Sequence, residues 1–143
     1  METDIVDRFN SMPWHDAKLL GISVQVDDST YEHAVVLRCR MAATSSLGDT
    51  VLRRVVILAC RAMQARLDLL GKSCASNDIS GASCNRETPR WREVVTDVRK
   101  RFDLYQEAED AFDSLYLFEI ELIPPGGDLV FLAGDFSIED EPE

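Results

Sequence analysis

The side chains of this chain best suited to acid–base or metal chemistry are two histidines, His15 and His33, and four cysteines, Cys39, Cys60, Cys74 and Cys84. An imidazole beside a carboxylate can move protons near neutral pH. His15 has such a neighbour in the run Pro13-Trp14-His15-Asp16-Ala17-Lys18-Leu19. A joint catalytic or metal centre would need both histidines together. The hairpin expected between them sets His33 opposite about residue 25 and leaves His15 near residue 43. At the rise of an extended chain they then lie roughly 25–35 Å apart, which excludes joint action. His15 and Asp16 stand where a strand begins, and successive strand residues point to opposite faces. They meet only if the segment is a turn. The expectation is therefore that Trp14 plugs the edge of a core and that the segment anchors the sheet, with no catalytic residue.

The cysteines have no C-x-x-C spacing, and no histidine lies near Cys74 or Cys84, which speaks against a zinc site or a redox pair. Cys39 and Cys60 fall in apolar runs, where a free thiol packs as a small hydrophobe. No G-x-S-x-G elbow is present, and the one glycine pair, Gly126-Gly127, is followed by neither a helix nor a lysine that could cradle phosphate. No metal and no cofactor are expected.

These residues must be held by a sheet. Residues 2–10 suggest a short helix with Ile5, Val6 and Phe9 on one side, ended by Pro13. From Asp16 to Val26 the apolar residues alternate, which predicts a strand burying Leu20, Ile22, Val24 and Val26. Asp27-Asp28-Ser29-Thr30 is turn material, and Tyr31 to Met41 is the partner strand of a hairpin. A loop at 44–49 leads to a third strand, about Val51 to Ala59. Residues 56–70 fit either a helix or a strand; a strand ending near Cys60, a bend, and a short strand to Leu70 are expected. Lys72 to Glu87 reads as irregular with one short element near Ile79.

Thr88-Pro89 has the cap and first-position chemistry of a helix start. Trp91, Val94, Val95, Val98, Phe102 and Tyr105 then make one apolar stripe, with Arg99-Lys100-Arg101 near a helix end. Leu115 to Ile123 alternates again, Tyr116, Phe118, Ile120 and Leu122 opposite Glu119 and Glu121. Pro124-Pro125-Gly126-Gly127 turns the chain into a last strand, Asp128 to Ile138, with Val130, Leu132, Phe136 and Ile138 in phase. The acidic tail 139–143 is expected to fray. This order predicts an α+β fold over a single domain, 1–143: a mainly antiparallel sheet of about five to six strands with one principal helix packed on it. Arg38, Arg40 and Arg53 are expected on one face, neutralised by Glu119 and Glu121.

With 15 basic and 26 acidic residues the net charge is −11. Such a charge repels phosphate backbones, excludes nucleic acid as a partner, and suits docking onto a basic protein. The acidic start, Met1-Glu2-Thr3-Asp4, does not read as a signal peptide, and no apolar run has membrane-spanning length. A cytoplasmic protein with reduced thiols, monomeric or homodimeric, is expected.

The opening Pro13-Trp14-His15-Asp16-Ala17-Lys18-Leu19 and the closing Leu122-Ile123-Pro124-Pro125-Gly126-Gly127 resemble a group of small bacterial domains. In these, an aromatic-His-Asp-Ala/Ser motif leads the first strand and a hairpin closes the sheet. Some of them resemble immunity proteins of polymorphic toxin systems. The resemblance covers the two ends, not residues 61–113, and supplies no catalytic residue. It implies a non-enzymatic protein-binding module that neutralises a toxin. Two alternatives stand beside it. One is a small-molecule-binding protein or enzyme with a pocket between sheet and helix, for which Trp14, His15, Asp16 and Trp91 are the ligand-binding candidates. The other is a structural dimer that buries a strand edge.

Overall fold

The computed structural model describes residues 3–43, 48–67, 78–101, 112–123 and 126–141. Its elements run α1 (Thr3–Asn10), β1 (Lys18–Val26), β2 (His33–Ala42), β3 (Thr50–Leu67), β4 (Ile79–Asn85), α2 (Pro89–Arg101), β5 (Tyr116–Leu122) and β6 (Gly127–Asp140). All six strands join one antiparallel sheet in the order β1-β2-β3-β6-β5-β4. Two short helices accompany it, where the sequence predicts one principal helix.

The sheet curls until its two edge strands touch at one corner. There the Ile79 N–H donates to the Ala17 carbonyl at 2.7 Å, the Asp16 N–H donates to the Ile79 carbonyl at 3.2 Å, and Lys18 bridges Asp78. The enclosed inner face is apolar, with Leu37, Cys39, Ile57, Phe118 and Phe131 wholly buried. α1 lies over it as its 3.6-residue spacing dictates, Ile5 and Val6 partly buried and Phe9 fully so. The Phe9 ring meets Trp14, Phe118 and Phe136 at centroid distances of 4.7, 5.0 and 5.2 Å.

α2 packs on the outer face. The Trp91 N–H donates to Thr88 Oγ1 at 3.1 Å, so Thr88 is the N-cap and Pro89 the first helical residue, as expected. Trp91, Val95 and Val98 cover Leu117, Val130 and Leu132 from β5 and β6. The expected end of the stripe at Phe102 and Tyr105 lies outside the described residues, as does Cys74.

Several expectations fail where strands break their own alternation. β1 carries a bulge between Leu19 and Gly21. Leu20 is the added residue, so Leu19 is buried and Leu20 is 44 % exposed; past the bulge Ile22 packs against the core as predicted, while Val24 and Val26, in phase with it, are 55 % and 51 % exposed rather than buried. β3 does not stop near Cys60 but continues to Leu67; the predicted bend is a bulge between Cys60 and Ala62 beside Ala59, which sits at φ 51°. Gly134 lies opposite, where an added Cβ would come within 3.4 Å of the Ala59 Cβ. The kink moves Val130 and Leu132 to the outer face and Phe136 to the inner, so the four residues predicted in phase are not.

The acidic end is also not loose. β6 holds it through Asp140, and the Glu141 N–H donates to the Leu52 carbonyl at 2.9 Å. Its carboxylates are the ones that meet the arginines: Arg38 with Glu141 (2.7 Å), Arg53 with Asp140 (3.1 Å) and Arg54 with Glu139 (3.4 Å). The expected partners Glu119 and Glu121 are on the far part of the sheet. Register also sets Arg53 opposite Cys39, not Arg40, whose partner is Leu52, and puts Arg54 opposite Arg38. β4 is the short element expected near Ile79.

Candidate functional site

The opening motif folds as a turn, which overturns the separation of His15 from Asp16. The Ala17 N–H donates to the Trp14 carbonyl at 3.0 Å and closes a β-turn with His15 and Asp16 at its corner. Asp16 takes φ 66° at the third position, a left-handed conformation that aspartate tolerates. This brings His15 Nδ1 to 3.2 Å from the Asp16 carboxylate. A carboxylate there can hold the imidazole tautomer and leave Nε2 free to accept a proton. Both side chains stand more than four-fifths in solvent, however.

Trp14 points the other way. It is 3 % exposed, and its indole N–H donates to the Phe9 carbonyl at 2.7 Å, which spends the polar end of the ring on the C-terminal turn of α1. Trp91 is buried in the other cluster, beneath α2, with its indole N–H on the Leu115 carbonyl at 3.0 Å. The four candidates are thus split three ways: Trp14 on the inner face, Trp91 on the outer face, and His15 with Asp16 on a solvent-facing corner.

Sequence reasoning missed one concave feature on the sheet. A groove of ≈ 490 Å³ crosses the outer face beyond the N-terminus of α2. Alternation on β5 sends Glu119 and Glu121 outward, and register aligns Glu121 with Gly81 on one side and Asp128 on the other. Arg66 of β3 lies opposite Asp128. Gly81 leaves the groove open: a Cβ built on it meets nothing within 4 Å. At the rim, Arg90 donates from Nε to Glu119 at 2.8 Å and from Nη1 to Glu93 at 3.2 Å. The Glu119 hydrogen bond raises the Arg90 pKa above its ordinary value. Three carboxylates line the groove, with Arg66 among them and Arg90 at the rim, and the excess of negative charge suits a cationic group more than an anionic one. The alternating carboxylates were visible in sequence, but nothing there said that glycine would face them across a neighbouring strand.

The described cysteines are buried and free. Burial pushes the Cys39 and Cys84 thiols up to about 12 and Cys60 to about 11, so none supplies a thiolate at neutral pH. Among the described residues no three His, Cys, Asp or Glu side chains gather as a metal site, and no helix is long and apolar enough to cross a membrane. Compared with protein-family models, curated proteins and solved structures, the chain gives no match.

Proposed function

We propose that this chain is a cytoplasmic, non-enzymatic α+β protein-binding module that docks onto a basic protein, of the toxin-neutralising kind its two ends resemble. The observation that carries this reading is the acidic groove on the outer face, where Glu119, Glu121 and Asp128 surround space left open at Gly81. A lysine or arginine of the partner would meet Glu121 and Asp128 there, Glu119 being shared with Arg90 and Arg66 lying opposite Asp128. The overall charge of −11 adds long-range attraction that speeds encounter with a cationic surface. The exposed His15–Asp16 pair has no such enclosure, which favours binding over catalysis as the activity of this chain.

The test is calorimetry against any basic protein encoded beside the gene, at low and high salt. The complex is expected to weaken as salt rises, and Glu121→Lys with Asp128→Lys to abolish it. No complex, or one indifferent to both salt and the charge reversals, overturns the reading.

A further inference from the structure

The turn that joins β1 to β2, Asp27-Asp28-Ser29-Thr30-Tyr31-Glu32, carries an aromatic ring that the fold does not use. The turn is held by hydrogen bonds of its own. The Asp27 N–H donates to the Glu32 carbonyl at 2.9 Å, and the Tyr31 N–H donates to the Asp27 carbonyl at 2.7 Å. The Asp27 carboxylate accepts from the Ser29 and Thr30 N–H groups at 2.8 and 3.2 Å. Tyr31 stands in this frame at φ 59°, a left-handed position that glycine takes freely and a bulky side chain takes at a cost. Packing does not recover that cost. The side chain is 78 % exposed, more than any other large apolar side chain among the described residues. A residue that the local geometry disfavours and the core ignores points to a contact outside the chain.

The charges of the turn say what kind of contact. Asp28 and Glu32 are both exposed, and neither is in an ion pair with a described residue. No lysine or arginine occurs in the chain between Lys18 and Arg38, so nothing local offsets them. We propose that this turn is a docking tip for the arginine side chains of a basic partner protein. The ring of Tyr31 takes the face of a guanidinium, and Asp28 or Glu32 accepts from its edge. A guanidinium is planar and weakly hydrated, so it can stack on an aromatic ring while its N–H groups reach a carboxylate. An ammonium is compact and strongly hydrated and does this less well. A turn already ordered by its own hydrogen bonds loses little freedom on binding. The inference rests on the reading of a basic partner, and it adds a contact on strands that the acidic groove does not use.

Titration of the isotope-labelled full chain with a hexa-arginine peptide, followed by NMR, tests this. The amide signals of Asp28, Tyr31 and Glu32 are expected to move, and hexa-lysine to bind there about threefold more weakly. Tyr31→Gly should weaken hexa-arginine at the tip by about the same factor. It should nevertheless melt no lower than the native chain by circular dichroism, because glycine suits the left-handed position. Asp28→Lys with Glu32→Lys should abolish binding at the tip. Tip signals that stay still overturn the proposal, as does equal binding of the two peptides there or an affinity that Tyr31→Gly leaves unchanged. A Tyr31→Gly chain that melts lower also overturns it, since the tyrosine then serves the fold. The groove is read in the same spectra from Gly81, Glu121 and Asp128. Movement there without movement at the tip overturns this proposal alone, and movement at the tip alone overturns the groove as the site of contact.

Discussion

Along β4 the outward row of backbone groups is occupied at both ends. Ile79 pairs with Ala17 at one, and at the other Asn10 imitates a strand: its Oδ1 accepts from the Cys84 N–H at 2.7 Å and its Nδ2 donates to the Cys84 carbonyl at 3.1 Å. α1, which carries Asn10, lies over this strand and sinks Phe9 into the core. Along β1, at the opposite end of the strand order, there is no helix and no carboxamide among the described residues, and the side chains are apolar and exposed. Both strands are short and uncharged along most of their length. What separates them is therefore not composition but cover. An unmet backbone amide at an edge is tolerated only where water or another strand can reach it. β4 is covered at both ends within the chain, and β1 only at its Lys18 end among the described residues.

The largest way to break this contrast is to strip the cover from β4. Phe9→Ala removes the ring that holds α1 down and should cost about 3–5 kcal/mol in urea unfolding. Asn10→Ala keeps the helix but leaves the Cys84 N–H and carbonyl without their partner. It should cost about 2 kcal/mol, with faster hydrogen exchange at Cys84 as the specific sign.

A third expectation uses the thiols. Cys84 on β4 and Cys39 on β2 have folded pKa values near 12, against an ordinary value of 9. The folded state thus holds those protons where the unfolded state has released them. This stabilisation is full below pH 9 and is lost as pH rises towards 12, at about 1.4 kcal/mol for each unit of difference per thiol. Cys84→Ala should flatten the alkaline fall in stability measured by chemical denaturation, whereas an unchanged slope would show that the strand is not sealed.

Two smaller effects sharpen the other side. Ala59→Gly relieves a left-handed alanine at the β3 kink and should be neutral or mildly stabilising, where glycine elsewhere in a strand costs about 0.5–1 kcal/mol. Val24→Ser on the open edge should change the stability of the fold by less than about 0.5 kcal/mol. A loss like that of Asn10→Ala would mean that β1 is not open.

Much of the sheet was legible in the chain. Tyr116, Phe118, Ile120 and Leu122 alternate with Glu119 and Glu121, and they divide between the two faces as that period requires. Thr88-Pro89 begins its helix for local reasons of hydrogen bonding and φ. The candidate site was less legible. The His15–Asp16 contact depends on a turn whose third residue has positive φ, which an aspartate permits but does not demand. The groove depends on register, which sets Gly81 beside Glu121 from strands 40 residues apart in the chain.

By itself, then, the sequence determined what each residue can do next to its neighbours: period-two runs, one strong helix start, two turns, and a charge that favours cationic partners. The tertiary structure alone decided which face each run presents. One added residue at Leu20 puts Leu19 in its place on the inner face, and a kink at Ala59 and Gly134 shifts the phase of two more strands. It also chose the charge partners, bringing Glu139, Asp140 and Glu141 rather than Glu119 and Glu121 to the arginines. The reason is that bulges and register are settled by packing between distant strands. Their cost and gain depend on residues far away in the chain, so no local pattern records them.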